Sequence, residues 1–204
     1  ESHRSKVVLS ELSRIVSENS AEQQKVSFIE CDCFLLKNVN KCVDSLLEVT
    51  KEKGIDYLVM SQGMATIQGF TPSKEEGLDQ KLTLHVWSRA TFATRLLQSL
   101  KISKDPRIIT VLSAGVHSSY KHYETDFELS RGNYSIKNAA DAAGFYNDVL
   151  VDKLAEENEE VTVMHACPGF VATNWGTEMP SVLRWMIRGI QVRSVYYPQT
   201  PYTF

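Results

Sequence analysis

The sequence predicts an α/β protein, a three-layer arrangement in which a parallel sheet carries helices on both faces. Three observations predict it. Short runs rich in Val, Ile and Leu alternate with longer segments whose apolar residues recur at helical spacing. Two of the short runs, IDYLVM and RIITVL, are nearly continuous in apolar character, as in strands covered on both faces. The regular alternation of helix and strand calls for crossover connections between parallel strands.

Taken in order, residues 5–16 carry Val7, Val8, Leu9, Leu12, Ile15 and Val16 at helical spacing, and this helix is expected to end near Asn19. KVSFIE, residues 25–30, reads as a strand, with Cys31-Asp32-Cys33 as its carboxyl end. Residues 38–53 form a second helix, apolar at Val39, Cys42, Val43, Leu46, Leu47 and Val49, and Gly54 is expected to stop it. Residues 55–60 are a strand, 61–73 a loop with Gly63, Gly69 and Pro72, and 78–100 one long helix. Residues 107–112 form a strand that runs directly into Ser113-Ala114-Gly115. In residues 116–133, His117, Tyr120, His122 and Tyr123 crowd together without the spacing of a metal site, and a surface loop is expected.

Residues 135–157 read as the next helix, with small residues at Ala139, Ala140, Ala142, Ala143 and Gly144. Alanine favours helices, but a glycine in a helix interior costs roughly 1 kcal/mol against alanine, so Gly144 needs another reason. A smooth face admits a neighbouring helix or a ligand. Residues 161–166 are a strand, ended by Pro168-Gly169 because proline donates no ladder hydrogen bond. A short helix is expected over 180–192. Residues 1–192 read as one domain, and 193–204 as an irregular, Tyr- and Pro-rich tail.

The formal net charge is −3 with both signs mixed along the chain, so no basic surface for nucleic acid is expected. Charges interrupt every apolar run, which excludes a membrane-spanning helix as an expectation. Cys31, Cys33, Cys42 and Cys167 lack zinc-type spacing and no paired histidines join them, so no metal site is expected. They also suggest no disulfide framework, and a reducing, cytoplasmic setting follows. The chain opens with Glu1 and no signal-peptide pattern, and an upstream segment is expected.

Four strand-end motifs, in order, carry a resemblance. Glu30-Cys31-Asp32 closes one strand, Ser61-Gln62-Gly63 follows the next, Ser113 ends the third, and Pro168-Gly169 with Thr173 follows the fourth. With this series the chain resembles the short-chain dehydrogenase/reductase family, over residues 1 to about 190. The resemblance implies a Rossmann-type, NAD- or NADP-binding domain that transfers hydride between an alcohol and a carbonyl in a small molecule. By it, Asp32 accepts from the adenine amino group and Gly63 is what remains of an Asn-Asn-Ala-Gly turn. Ser113 is the catalytic serine, and Pro168, Gly169 and Thr173 hold the nicotinamide carboxamide. The helix at 135–157 implies a dimer face and a homo-oligomer.

Three departures accompany it. The family's first βαβ segment, with its glycine-rich pyrophosphate turn, has no counterpart, so weak cofactor binding by this chain is expected. The Tyr-x-x-x-Lys pair is also absent. The family's spacing from Pro168-Gly169 puts Asn138 and Ala142 at those positions, while Tyr134 with Lys137 is a displaced candidate pair. A nearby ammonium matters because a phenol titrating near ~10 is a poor acid–base group at neutral pH. Finally, the family's helical asparagine falls near His85 or Val86. A noncatalytic member acting as a binding or scaffold protein is the alternative expectation.

Overall fold

A computed structural model of the chain describes residues 3–19, 26–169 and 181. The chain divides into two compact units, Glu1–Asp32 and Cys33–Phe204. The first contains helix α1, His3–Asn19, in which Arg14 pairs with Glu11 and Glu18. The strand expected at 25–30 is corrected here: residues 26–30 form no strand. A strand exists through its ladder, and among the described residues none pairs with this segment. Phe28, which a sheet would cover, is 44% exposed.

The second unit runs α2 (Leu36–Thr50), β1 (Tyr57–Met60), α3 (Gln80–Leu82), a π-helical turn (Thr83–Trp87), α4 (Ser88–Arg95), α5 (Leu97–Leu100), β2 (Arg107–Val111), α6 (Ile136–Glu157) and β3 (Thr162–Ala166). The strands form one parallel sheet in the order β1-β2-β3. Tyr57, Arg107 and Thr162 sit in one row, and Met60, Thr110 and His165 in another. The α/β class and parallel sheet read from the sequence are the architecture observed. The short helix and tail expected at 180–204 lie, save for Ser181, outside the described residues.

Side chains alternate across a strand, so each strand shows two faces. Ile108, Met60 and Thr110 face inward and are buried, and the side chains of Arg89 in α4 and Asn147 in α6 reach Thr110 on that face. On the other face Tyr57 and Val59 are each 59% exposed and Met164 49%. The small face of α6 packs Ala139, Ala142 and Ala143 against Leu82, Val86, Tyr120 and Leu129, which explains its alanines as close-packing positions.

Helix starts and stops follow local chemistry. Glu76, far along the chain, accepts from the Leu36 and Lys37 N–H groups (both 2.8 Å) and satisfies the orphan donors at the start of α2. α2 ends at Thr50, and Gly54 donates to its carbonyl with φ +73°. A side chain at Gly54 would meet Ile102 and the Ser99 carbonyl at 2.7 Å, so glycine is required there. The Ser135 hydroxyl accepts from Asn138 N–H (3.0 Å) and caps α6.

The single helix expected over 78–100 is interrupted. Asp79 caps its start, a π-helical turn widens it at Thr83–Trp87, and it breaks again at Leu96. Thr83, Ser88, Thr91 and Thr94 each return their hydroxyl to the carbonyl four residues back, a pattern that bends helices. Asn147 of α6 donates to the His85 carbonyl (2.9 Å) within the π-helical turn.

Candidate functional site

All three strands deliver their carboxyl ends to the same edge of the sheet, where ligands of open α/β sheets sit. β1 runs out into Gln62 and Gly63, β2 into Leu112 and Ser113, and β3 into Cys167, Pro168 and Gly169. The structure therefore brings Gly63, Ser113, Pro168 and Gly169 to one edge. Asp32 belongs to the first unit, where it is exposed, and Thr173 lies outside the described residues.

Gly63 lies under the His85 ring. A Cβ there would stand 3.3 Å from Nε2, so glycine lets the imidazole close in. His85 Nε2 accepts from Met64 N–H at 3.0 Å. Burial foremost, then the Arg89 guanidinium, push this imidazole down from its ordinary 6.5 to about 4. At the β3 end, Gly169 adopts φ +68° and is exposed, with no described atom within 4 Å of where a side chain would stand.

Ser113 is held by its backbone. The ladder continues past β2 as Leu112 N–H donates to the Ala166 carbonyl (2.8 Å). Ser113 N–H then donates to His165 Nε2 (3.1 Å), and the Ser113 carbonyl receives His117 Nδ1 (3.0 Å). Both rings meet one carboxylate: His165 Nδ1 is 2.5 Å from Asp148 Oδ1, and His117 Nε2 3.0 Å from Oδ2. His117 was expected on a surface loop. Its ring instead lies against α6 at Gly144, where a Cβ would stand 2.1 Å from Nδ1. Tyr120, from the same segment, is buried and donates its hydroxyl to the Asp126 carbonyl (2.9 Å).

Tyr134 and Lys137 go different ways. Tyr134 packs edge-on against Phe70 (5.7 Å between centroids), and the Lys81 ammonium stands 5.4 Å from its ring centre. Its hydroxyl is buried with no hydrogen-bond partner among the described residues. Burial first, then the Asp79 carboxylate, hold the phenol well above its ordinary value of 10. Lys137 is exposed and pairs with Asp141 one turn along α6. The ammonium beside Tyr134 is thus Lys81. It pairs with Asp79 (3.0 Å) and donates to the Gly69 carbonyl (2.8 Å) and the Thr71 hydroxyl (3.2 Å). Asn138 spends its amide on the Asn133 carbonyl (2.7 Å), and Ala142 is in the core, so neither offers a proton.

Behind this edge lies a buried polar network the sequence reading did not single out. Arg89, 0% exposed, donates to the Thr110 hydroxyl (2.6 Å), the Val111 carbonyl (3.1 Å) and the Gln62 carbonyl (2.6 Å). Thr110 donates on to Asn147, which donates to the His85 and Ala143 carbonyls. No carboxylate joins the guanidinium among these bonds, and burial pushes it down to about 10. The available signals were an arginine amid Ala and Thr in one helix, Asn147-Asp148 amid apolar residues in α6, and a histidine inside an apolar strand.

No family model matches the chain. Over 147 residues it is 26% identical to the NmrA-like family domain-containing oxidoreductase notO of an Aspergillus species, covering 72% of this chain and 43% of that protein. Over the same length it is 29% identical to an oxidoreductase of Emericella nidulans, covering 72% and 42%. The chain thus spans less than half the length of these curated relatives. Solved structures share its fold. An alcohol dehydrogenase from the archaeon Thermococcus sibiricus, complexed with 5-hydroxy-NADP, superposes with a TM-score of 0.56 at 16% identity, covering 93% of this chain and 77% of that one. An NADPH-bound carbonyl reductase from chicken fatty liver gives 0.55 at 14%, covering 90% and 73%. The fold is that of the short-chain dehydrogenases/reductases. Among the described residues no helix is long and apolar enough to cross a membrane.

Proposed function

We propose that the protein carrying this chain is an NAD(P)-dependent oxidoreductase acting on a small-molecule carbonyl or alcohol. The observation that carries the reading is the convergence of Gly63, Ser113 and Pro168-Gly169 at the carboxyl edge of a parallel sheet. The oxidoreductase relatives and the NADP-bound neighbours support it.

The described residues fit one end of the cofactor. The left-handed turn at Gly169 and a serine at the same edge suit a nicotinamide and a carbonyl oxygen. No glycine-rich turn for a pyrophosphate occurs among them. When bound, the nicotinamide supplies the hydride. Pro168 and Gly169, with Thr173 beyond them, orient its carboxamide; Asp32 serves the adenine. The Ser113 hydroxyl donates to the substrate oxygen as charge develops on it. Tyr134 is the candidate proton donor, with the Lys81 ammonium, not that of Lys137, beside its ring. A reducing cytoplasmic setting and pairing with a second copy belong to the same reading.

The test is NADPH consumption with 4-nitrobenzaldehyde by the protein, beside Ser113→Ala and Tyr134→Phe. Ser113→Ala is expected to lower kcat by about 100-fold with NADPH affinity retained. Turnover equal to the parent in both variants would remove these residues from the chemistry. A parent that consumes no NADPH would favour the noncatalytic alternative.

A further inference from the structure

The backbone of Ser113 is gripped on both sides by imidazoles. His165, inside β3, accepts its N–H at 3.1 Å, and His117, four residues on, meets its carbonyl at 3.0 Å. The rings lie roughly parallel, 6.2 Å between centroids. Asp148 of α6 joins them from behind, one carboxylate oxygen to each ring at 2.5 and 3.0 Å. A strand residue and a loop residue thus end on one residue's peptide groups, and a helix carboxylate ties the two together.

Hydrogen counting fixes the roles. His165 satisfies both partners as the Nδ1–H tautomer, donating to Asp148 and keeping a lone pair for Ser113 N–H. Both partners of His117 are acceptors, so both are satisfied when both ring nitrogens carry hydrogen. The rings are nearly inaccessible, their side chains 3% and 9% exposed, while Asp148 is 43% exposed. Both nitrogens of each ring are taken by partners among the described residues, and none of those partners is a hydroxyl. What remains is support: a buried carboxylate-backed pair that holds a loop residue at the end of a strand, where a displacement near 1 Å costs rate.

We propose that Asp148, acting through His165 and His117, is the positioning residue that sets the Ser113 backbone, and with it the hydroxyl, at the reacting edge of the sheet. The link to catalysis rests on the reading of Ser113 given above; the clamp itself does not. Gly144 belongs to the device, since any side chain there would occupy the His117 ring position.

The experiment compares the parent with Asp148→Ala, Asp148→Asn and His165→Phe, by amide exchange and by NADPH-dependent reduction of 4-nitrobenzaldehyde. Asparagine can accept from His165 and donate to a His117 that carries only the Nδ1 hydrogen, so it is expected to rescue. In Asp148→Ala the Ser113 amide is expected to exchange about tenfold faster, with Ile109 and Thr110 unchanged in the ladder and Asp148→Asn near the parent. kcat should fall about tenfold with KM held, and return in Asp148→Asn. If Asp148→Ala does not fold, His165→Phe, which keeps a ring without the acceptor, is read in its place by the same two measurements. Unchanged exchange at Ser113 would overturn the clamp. Faster exchange with unchanged kcat would overturn its role in positioning. A parent without turnover fails the oxidoreductase reading alone, because the exchange comparison still decides the clamp.

Discussion

At Gly144 the lack of a side chain lets the His117 ring lie flat against α6, and the two residues explain each other. Gly144→Ala gains helix propensity of about 1 kcal/mol, yet its methyl would stand 2.1–2.2 Å from ring atoms of His117. The expected result is a lower melting temperature than the parent, not a higher one. The double variant Gly144→Ala/His117→Ala should melt above Gly144→Ala alone, because the collision is gone and the propensity remains. Additive effects of the two changes in thermal melts would show that the ring and the glycine do not interact. The sequence displayed half of this: it marked Gly144 as a glycine that propensity cannot explain. It could not show the ring, because His117 sits in an aperiodic stretch and meets Gly144 and Asp148 only across a long span of chain. The same holds for Lys81, which nothing in sequence links to Tyr134 across more than fifty intervening positions.

The segment from Gln80 to Leu100 shows what periodicity conveys about an element and what it conceals. Leu82, Val86, Ala93, Leu96 and Leu100 are buried as a helical stripe requires, so the existence of the helix was legible. The π-helical turn was not, because the contacts made there are hydroxyls returning to the backbone and an asparagine arriving from α6. One consequence is a buried histidine held at about 4 in the folded chain against an ordinary 6.5. With the folded value depressed, the unfolded chain takes up the proton first as pH falls. The contribution of His85 is therefore complete above about pH 6.5 and is lost as pH drops towards about 4. His85→Gln keeps an acceptor for Met64 N–H without titrating. In melts between about pH 7.5 and about pH 4.5, the parent should lose several degrees relative to this variant, roughly 5 °C. Parallel melting curves across that range would show that the imidazole does not carry the effect.

In the molecule as a whole, the parallel sheet and its helix–strand alternation were legible because its strands are written as short apolar runs between helical segments. The strand read at 25–30 had the same composition but depends on a ladder partner that no local pattern supplies. The same runs leave an apolar surface. Tyr57, Val59 and Met164 stand exposed on the sheet face opposite Thr110, and β1 is an edge among the described strands. Val59→Lys is expected to cut the binding of a hydrophobic-surface dye at least about twofold and to raise solubility, with folding stability within about 0.5 kcal/mol of the parent. Dye binding equal to the parent's would place the exposed apolar surface elsewhere.

The close approach of His117 to α6 also limits how this sequence can drift over generations. Position 144 can acquire a side chain only after position 117 has given up its ring, because the reverse order passes through a chain in which both claim one volume. The two positions, in separate elements, should then change together among descendants: imidazole with glycine, or neither. A lineage that kept a histidine at 117 beside a branched residue at 144 would have had to move the whole segment that follows β2.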